Sequence, residues 1–357
     1  MDILNKTWAS QQDPNTLSPL DKLLNNYLQN KEVPLSVLMS GDIAGFKNQF
    51  ANSALTGLQN YIQDPAASLG ATGLIGVTKQ FTPKLAASLL SKSDIEAKAF
   101  NQLKDNLPAM KQEYAALNAP HADTMGGRVL NTDAARELFP EYKANRTLSA
   151  DVHEPASQFV KDLYKEKLSQ PTPEGFNPTV VFTAGGTGAG KTGAIRKASS
   201  DANDLLNNAE MIYDTNMNKF SSADQKVKQA LNAGRDVQIF YTYRDPVDAL
   251  VQGALPRAAR METNFGSGRT VPIQEHLKTH MGSRETIQKL ADKYKGNDKV
   301  NINVIDNSGG VQDIHKSSLD KIPKLDENEV RRRLNEALEQ NKHTISEHIY
   351  KGTKGTD

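Results

Sequence analysis

No cysteine occurs among the 357 residues, which excludes disulfides, thiolate nucleophiles and Cys-ligated zinc. An excess of charge of either sign is also missing. With 43 Lys and Arg against 42 Asp and Glu, the formal net charge is +1, so no whole-molecule field gathers nucleic acid or an anionic membrane. Any basic site must be local. The longest weakly polar stretch, Pro65 to Leu90, is interrupted by Lys79 and Lys84, so no membrane-spanning helix is expected. Met1 to Lys6 has neither the basic nor the apolar part of a secretory signal, which points to a cytoplasmic chain. Arginine is absent before Arg128 and frequent after it, so two regions with different tasks are expected.

What is present is a complete phosphate-binding motif. Gly185-Gly186-Thr187-Gly188-Ala189-Gly190-Lys191-Thr192 spells G-x-x-x-x-G-K-[ST] and follows the apolar run Thr179 to Thr183, the strand-then-loop context that motif requires. The residue types fit the chemistry of a triphosphate. Glycines let backbone N–H groups turn around the phosphates, Lys191 supplies a point charge and the Thr192 hydroxyl can ligate Mg²⁺. A helix is expected from Lys191 to about Ser199, with its positive dipole end on the same cradle.

Hydropathy patterning divides the chain in three. Residues 1–120 carry apolar residues at helical spacing, as in Leu20, Leu23, Leu24 and Leu28, then Ile43, Phe46, Phe50, Leu55 and Leu58. An all-helical region with a packing, partner-binding or delivery role is expected there. Residues 121–320 alternate short apolar runs with helical patterns, the signature of an α/β fold with a parallel sheet flanked by helices. Expected strands are Arg128 to Asn131, Thr179 to Thr183, Glu210 to Tyr213, Asp236 to Tyr243 and Lys299 to Ile305. Residues 321–357 form a charged helix, Asp326 to Glu339, and a tail expected to fray from Lys351 onward. Arg331, Arg332 and Arg333 read as the solvated face of that helix.

In an open parallel sheet the residues just after each strand carry the chemistry. Asp133, Asp214 and Asp306 each follow an apolar run. A kinase needs a carboxylate to orient an acceptor hydroxyl and another to hold Mg²⁺ or its waters, whereas an isolated Asp at a strand end also serves as a cap or turn former. Asp306-Asn307-Ser308-Gly309-Gly310 fits either reading. The cations come from Pro246 to Arg260, read as a helix with Arg257 and Arg260 on neighbouring positions, and from Arg269 in a Gly-flanked segment. Guanidinium forks suit phosphate oxygens, and the Gly-flanked segment suits a mobile lid, with a solvated basic helix and surface turn as the alternative. Arg244 beside Asp245 reads as a structural pair.

Several separate pieces of sequence together resemble the zeta toxin family of P-loop kinases, in a branch found in many phage and bacterial genomes. They are Leu130-Asn131-Thr132-Asp133 through Tyr142, Val152-His153-Glu154-Pro155-Ala156-Ser157, the P-loop, Tyr213-Asp214-Thr215, and the arginine helix with Gly266-Ser267-Gly268-Arg269-Thr270-Val271-Pro272. The resemblance spans roughly residues 120–315. It implies a nucleoside-kinase-like α/β sandwich that transfers the γ-phosphoryl of ATP or GTP, with Mg²⁺, to a hydroxyl of UDP-N-acetylglucosamine. By motif, Lys191 and Thr192 would hold phosphates and metal, and Asp133 would activate the acceptor. Asp214 and Thr215 would grip substrate, Arg257, Arg260 and Arg269 would act as lid arginines, and His153 and Glu154 would line the substrate side, although a His beside Glu-Pro also suits a helix start. In the better-known members the acidic motif follows the P-loop, whereas here it precedes it.

The resemblance further implies an antitoxin protein as partner and a bacterial or host-cell cytoplasm as the place of action. A virion or secretion partner is the alternative for residues 1–120. Other acceptors in the same branch keep an NAD kinase reading open. A polynucleotide kinase would need a channel rich in Lys, Arg and aromatics, which the composition lacks, so nucleic acid is not expected. A nucleotide-binding virion or interaction protein without catalysis is the reading from a different class.

Overall fold

The computed structural model describes residues 94–309 and 315–355. The helical faces expected between residues 20 and 58 therefore lie outside the described residues. The first described element is a helical run, Asp94–Ala116 (α1), broken at Asn106 two positions before Pro108. Asn suits a helix cap and Pro is tolerated only in a helix's first turn, so Asn106 with Pro108 two positions on fits a helix restarting here. The chain divides at the same place into two compact units, 1–106 and 107–357. All that follows concerns the second unit.

That unit begins its sheet with β1 (Val129–Asn131), followed by α2 (Thr132–Ala135), α3 (Pro140–Ala144) and α4 (His153–Leu168). Then come β2 (Asn177–Ala184), α5 (Lys191–Ala198), α6 (Ser200–Asn208), β3 (Ala209–Asp214), α7 (Phe220–Asn232) and β4 (Asp236–Tyr243). The second half holds α8 (Pro246–Ala249), α9 (Leu255–Phe265), α10 (Ile273–Lys293), β5 (Val300–Asp306), β6 (His315–Ser317), α11 (Glu327–Asn341) and α12 (Glu347–Lys354). This is the α/β architecture of the P-loop kinases, a mostly parallel sheet flanked by helices.

The six-stranded sheet runs β1-β3-β2-β4-β5-β6, with only β6 antiparallel. Val180, Val181 and Phe182 are wholly buried at its centre, as befits a parallel strand covered on both faces. Tyr213 stacks on Phe182 with ring centroids 5.9 Å apart, and Tyr164 meets both rings edge-on. From β2 the chain moves outward to β3 on one side, then crosses back to β4 on the other. The carboxyl end of β2 is thus a topological switch point, where open sheets leave a crevice for ligands.

β1 resolves the unusual order of the motifs. It lies outside β3 and runs parallel to it, with Asn131 in register with Asp214. A strand that enters before the P-loop therefore ends on the same edge of the sheet as the P-loop, and brings Asp133 with it.

All five expected strands are present, each within two residues of its expected bounds. β6 was not expected, because a three-residue polar edge strand carries no apolar signal. The helix expected from Pro246 to Arg260 is split by a π-helical turn at Leu250–Ala254. The tail expected to fray is instead held: α12 is capped by Ser346, whose hydroxyl accepts from Ile349 N–H at 3.2 Å, and Gly352 and Thr353 are buried. Val330, Leu334 and Leu338 of α11 and Ile349 and Tyr350 of α12 share a core with Leu255, Ala258, Ile273 and Leu277. Arg331 and Arg332 pair with glutamates on their own exposed helix face, as expected. Arg333 departs from that face and reaches Asp245 at 3.2 Å. Asp245 accordingly pairs with Arg333, not with Arg244, which bonds Gln252.

Candidate active site

The glycine cradle closes the end of β2, and Gly190, in left-handed geometry at φ 74°, starts α5. Three of its glycines are required by close approach: at Gly185, φ +134°, a Cβ would run into the Thr242 carbonyl oxygen. Gly188 has φ +77°, and a Cβ there would run into the Ala249 carbonyl oxygen; Gly186 faces the His280 ring, with no room for a methyl. The π-helical turn is part of the same contact, since Gly253 backs directly onto the Gly188 carbonyl.

α10 braces the cradle from the other side. Thr187 N–H donates to Thr279 Oγ1 at 3.1 Å, and His280 Nε2 bonds the Thr187 carbonyl at 3.0 Å. His276 bonds the Pro246 carbonyl through Nε2 at 2.8 Å and packs on His280, ring centroids 4.6 Å apart. Both bonds require a proton on Nε2, which a neutral imidazole supplies. Burial pushes His276 down to about 4 and His280 well below the usual histidine range. Asn307 closes the third side, donating to Ala189 O at 2.8 Å.

Lys191 opens α5, and its Nζ donates to Asn216 Oδ1 at 2.8 Å. Burial lowers its pKa, while Asp214 and Asp133 pull the other way. Thr192 lies beside it with an exposed side chain. Asp214 is gripped at both oxygens, by Thr183 Oγ at 2.6 Å and by Asn131 Nδ2 at 2.8 Å. Thr215 N–H donates back to Thr183 Oγ1 at 3.1 Å, and the Thr215 hydroxyl accepts from Met217 N–H at 3.3 Å. Met217 itself takes φ 49°, a left-handed conformation uncommon outside glycine. That turn carries Asn216 back to Lys191.

Asn131 also caps α2, its Oδ1 accepting from Asp133 N–H at 2.6 Å. The cap sets Asp133 on the first turn of α2, where Arg136 and Arg269 both pair with its Oδ1. Burial alone would raise this carboxyl, but Arg269, Arg136 and Arg257 hold it well below the usual carboxylate range. It still keeps 43% of its side-chain surface accessible, so an incoming group can reach it. Arg136 donates from Nη2 to His153 Nδ1 at 2.6 Å, which requires that ring nitrogen to be unprotonated. Burial and the neighbouring Arg136 lower the His153 pKa accordingly. Glu154 is exposed, 4.0 Å from His153 Nε2.

Arg257 differs from the other arginines. Its Nε and Nη2 are both buried without a hydrogen-bond partner, whereas Arg136, Arg146, Arg244 and Arg269 leave only Nε so, a costly state for a cation's donors. Repulsion from Arg269 and then burial bring its pKa down to about 10. The cluster holds Arg136, Arg257, Arg269 and Lys191 against Asp133 and Asp214, an excess of positive charge that a bound anion would neutralise.

The structure thus gathers Lys191, Asp133, Asp214, Arg257 and Arg269 at one edge of the sheet. Arg260 is exposed, without an ion pair or hydrogen bond among the described residues. Asp306 is a turn former: its Oδ1 accepts from Ser308 N–H at 2.9 Å and Ser308 Oγ at 2.6 Å. The Gly-flanked segment expected to be mobile is docked, with Gly268 tight against the Ala258 carbonyl and Arg269 on Asp133. Arg136, Asn131, Thr183, Asn216, Asn307, Thr279 and His280 complete the site without having been singled out by sequence. Arg136 and Asn131 sit inside the quoted motif, Asn216 directly follows Asp214-Thr215, Thr183 ends the run before the P-loop and Asn307 follows Asp306; Thr279 and His280 carry no local signal.

Among the described residues no group of three or more His, Asp or Glu side chains could hold a metal by itself, and no helix is long and apolar enough to cross a membrane. Residues 202–319 match the family model described as Zeta toxin. The matched stretch contains Asp214, Arg257 and Arg269, and begins after the glycine cradle and Asp133. That family is P-loop kinase-like, so the likeness supports a nucleotide-handling phosphotransferase class for this site.

Proposed function

We propose that this chain transfers the γ-phosphoryl group of ATP or GTP to a hydroxyl of a nucleotide-activated sugar such as UDP-N-acetylglucosamine. The observation that carries the transfer reaction is Arg257. Two of its guanidinium nitrogens are buried and partnerless beside Arg269 and near Lys191, an arrangement that a phosphoryl group completes and that no side chain present satisfies. The sugar nucleotide rests on the resemblance and on an accessible carboxylate at the mouth of the site.

In this reading the backbone of Gly185 to Gly190 and Lys191 hold the β- and γ-phosphates. Thr192 offers an exposed hydroxyl for Mg²⁺, a hard cation that takes oxygen ligands and offsets charge on the phosphate oxygens. Asp214, fixed by Thr183 and Asn131, would accept from the acceptor hydroxyl or help hold the hydrated ion. Arg257 and Arg269 offset charge on the group in transit, and positioning with charge stabilisation is most of what phosphoryl transfer needs. Asp133 stays anionic among its arginines, so its part is to accept from the acceptor hydroxyl and aim it in line, with the proton leaving late. Thr215, His153 and Glu154 lie on the acceptor side. The antitoxin implied by the resemblance would act by covering this mouth.

Incubating the protein with γ-labelled ATP or GTP, Mg²⁺ and a panel of UDP-sugars, NAD and oligonucleotides tests the reading. Label is expected in UDP-N-acetylglucosamine. Label in NAD or an oligonucleotide would overturn the acceptor, and label in none would overturn the kinase.

A further inference from the structure

The segment that carries Arg269 is fastened to the segment that carries Asp133 by a second contact besides the Arg269–Asp133 pair. Arg146 is 3% exposed and forms a two-point pair with the buried Glu137. Its guanidinium lies 3.8 Å from the centroid of the Phe265 ring and 5.1 Å from that of Tyr142, both within cation–π range. Its backbone N–H donates to Ser267 Oγ at 2.8 Å. Phe265 ends α9, Gly266 reverses the chain at φ 75°, and Arg269 follows to pair with Asp133.

These contacts close a ring. Asp133 and Glu137 share one short helical stretch, Glu137 holds Arg146, Arg146 holds Phe265 and Ser267, and Arg269 returns to Asp133. A planar fork suits the task, since it can bind a carboxylate at its edge while an aromatic ring covers its face; a lysine can do only one of these. Phe265 is 37% exposed yet sits edge-on to His121, centroids 5.0 Å apart, so its ring is held on both sides.

We propose that Arg146 is a positioning residue: with Phe265 and Ser267 it latches the Gly266–Arg269 turn and thereby sets the contact between Arg269 and Asp133. The latch decides where Arg269 stands when a phosphoryl group arrives. Its catalytic consequence rests on the phosphotransferase reading; the contact itself does not.

The test uses Phe265→Ala combined with Ser267→Ala, which releases the latch without changing charge or exposing the buried Glu137 carboxylate. In the full chain with ¹³C-labelled aspartate, the Asp133 titration is followed by NMR, with amide exchange at residues 266–270 as a second measurement. Asp133 is faced by Arg136, Arg257, Arg269, Lys191 and His153, none of which the variant alters. Release is expected to raise the Asp133 midpoint by about one pH unit or more and to speed exchange at least about tenfold. An unchanged midpoint or unchanged exchange overturns the proposal, with or without turnover. Where transfer is measurable, kcat should fall about tenfold or more with nucleotide Kd within about twofold, and the latch change should cost nothing further once Arg269→Ala is in place. Full additivity of the two changes would overturn the positioning role, because a merely structural defect adds. Absence of nucleotide uptake by the wild type would remove the phosphotransferase reading alone, leaving titration and exchange to decide the latch.

Discussion

The Asn131 amide donates to the Asp214 carboxylate across 2.8 Å, joining the strand that enters the site before the P-loop to the strand that enters after it. Asn131 also caps the helix of Asp133, so one side chain registers both acids. Asn131→Asp would keep the cap acceptor for Asp133 N–H but lose the amide donor to Asp214, setting two carboxylates side by side. Like charges at that distance raise one pKa and cost stability. A loss of about 1–3 kcal/mol is expected, read as a urea midpoint below that of the wild type at pH 7, with the difference between the two narrowing near pH 4.

Arg257 should trade stability for function. Its pKa is lowered by Arg269 and by burial, so the fold disfavours its charge. Arg257→Met is expected to raise the melting temperature of the ligand-free protein by a few degrees, at about 2–4 °C per kcal/mol for a unit of this size, while lowering the transfer rate about 10²–10³-fold. Calorimetric melting and labelled transfer check the two halves.

Gly253 lies outside every motif, yet it backs onto the Gly188 carbonyl. Gly253→Ala should therefore displace the cradle and weaken nucleotide binding at least about tenfold, with stability lowered by about 1–3 kcal/mol as for other overpacked sites. Gly193→Ala, whose Cβ meets open space in α5, is the control and should leave the fold at least as stable.

How far such positions can be read from sequence depends on the range of the contact that makes them matter. Five of the six strands were legible because each contains a short apolar run, and Lys191, Asp214 and Arg269 because each sits in a local pattern. Thr279 and His280 support the cradle from 92 and 93 residues away, and Gly253 does so through a bare backbone contact; no local pattern encodes either. Arg146 reads as an ordinary surface arginine until Glu137 and Phe265 close around it. The splitting of the Pro246 to Arg260 helix, by contrast, has a local cause, since Gly253 and Pro256 both disfavour an uninterrupted α-helix there.

Acid should destabilise the fold before its carboxylates titrate. His276 and His280 are neutral in the folded chain, their pKa values lowered by burial, to about 4 for His276. Below about pH 6.5 the unfolded chain takes up protons that the folded chain refuses, so stability falls by up to about 1.4 kcal/mol per pH unit for each such histidine. The loss runs from about pH 6.5 down to about 4 for His276 and is absent above that window. Denaturant titrations between pH 7.5 and 4.5 should show this slope, and His276→Gln should make it shallower.

The central claim is that Lys191, Arg257 and Arg269 converge on one terminal phosphoryl group. Calorimetric titration of the Mg²⁺ complexes of ATP, GTP, ADP and GDP into the wild type and into Arg257→Met tests it most directly. The wild type should take a triphosphate at least about tenfold more tightly than the matching diphosphate, and Arg257→Met should lose that preference while keeping diphosphate affinity within about threefold. Equal affinity of the wild type for di- and triphosphate, or no uptake of either, would contradict the account.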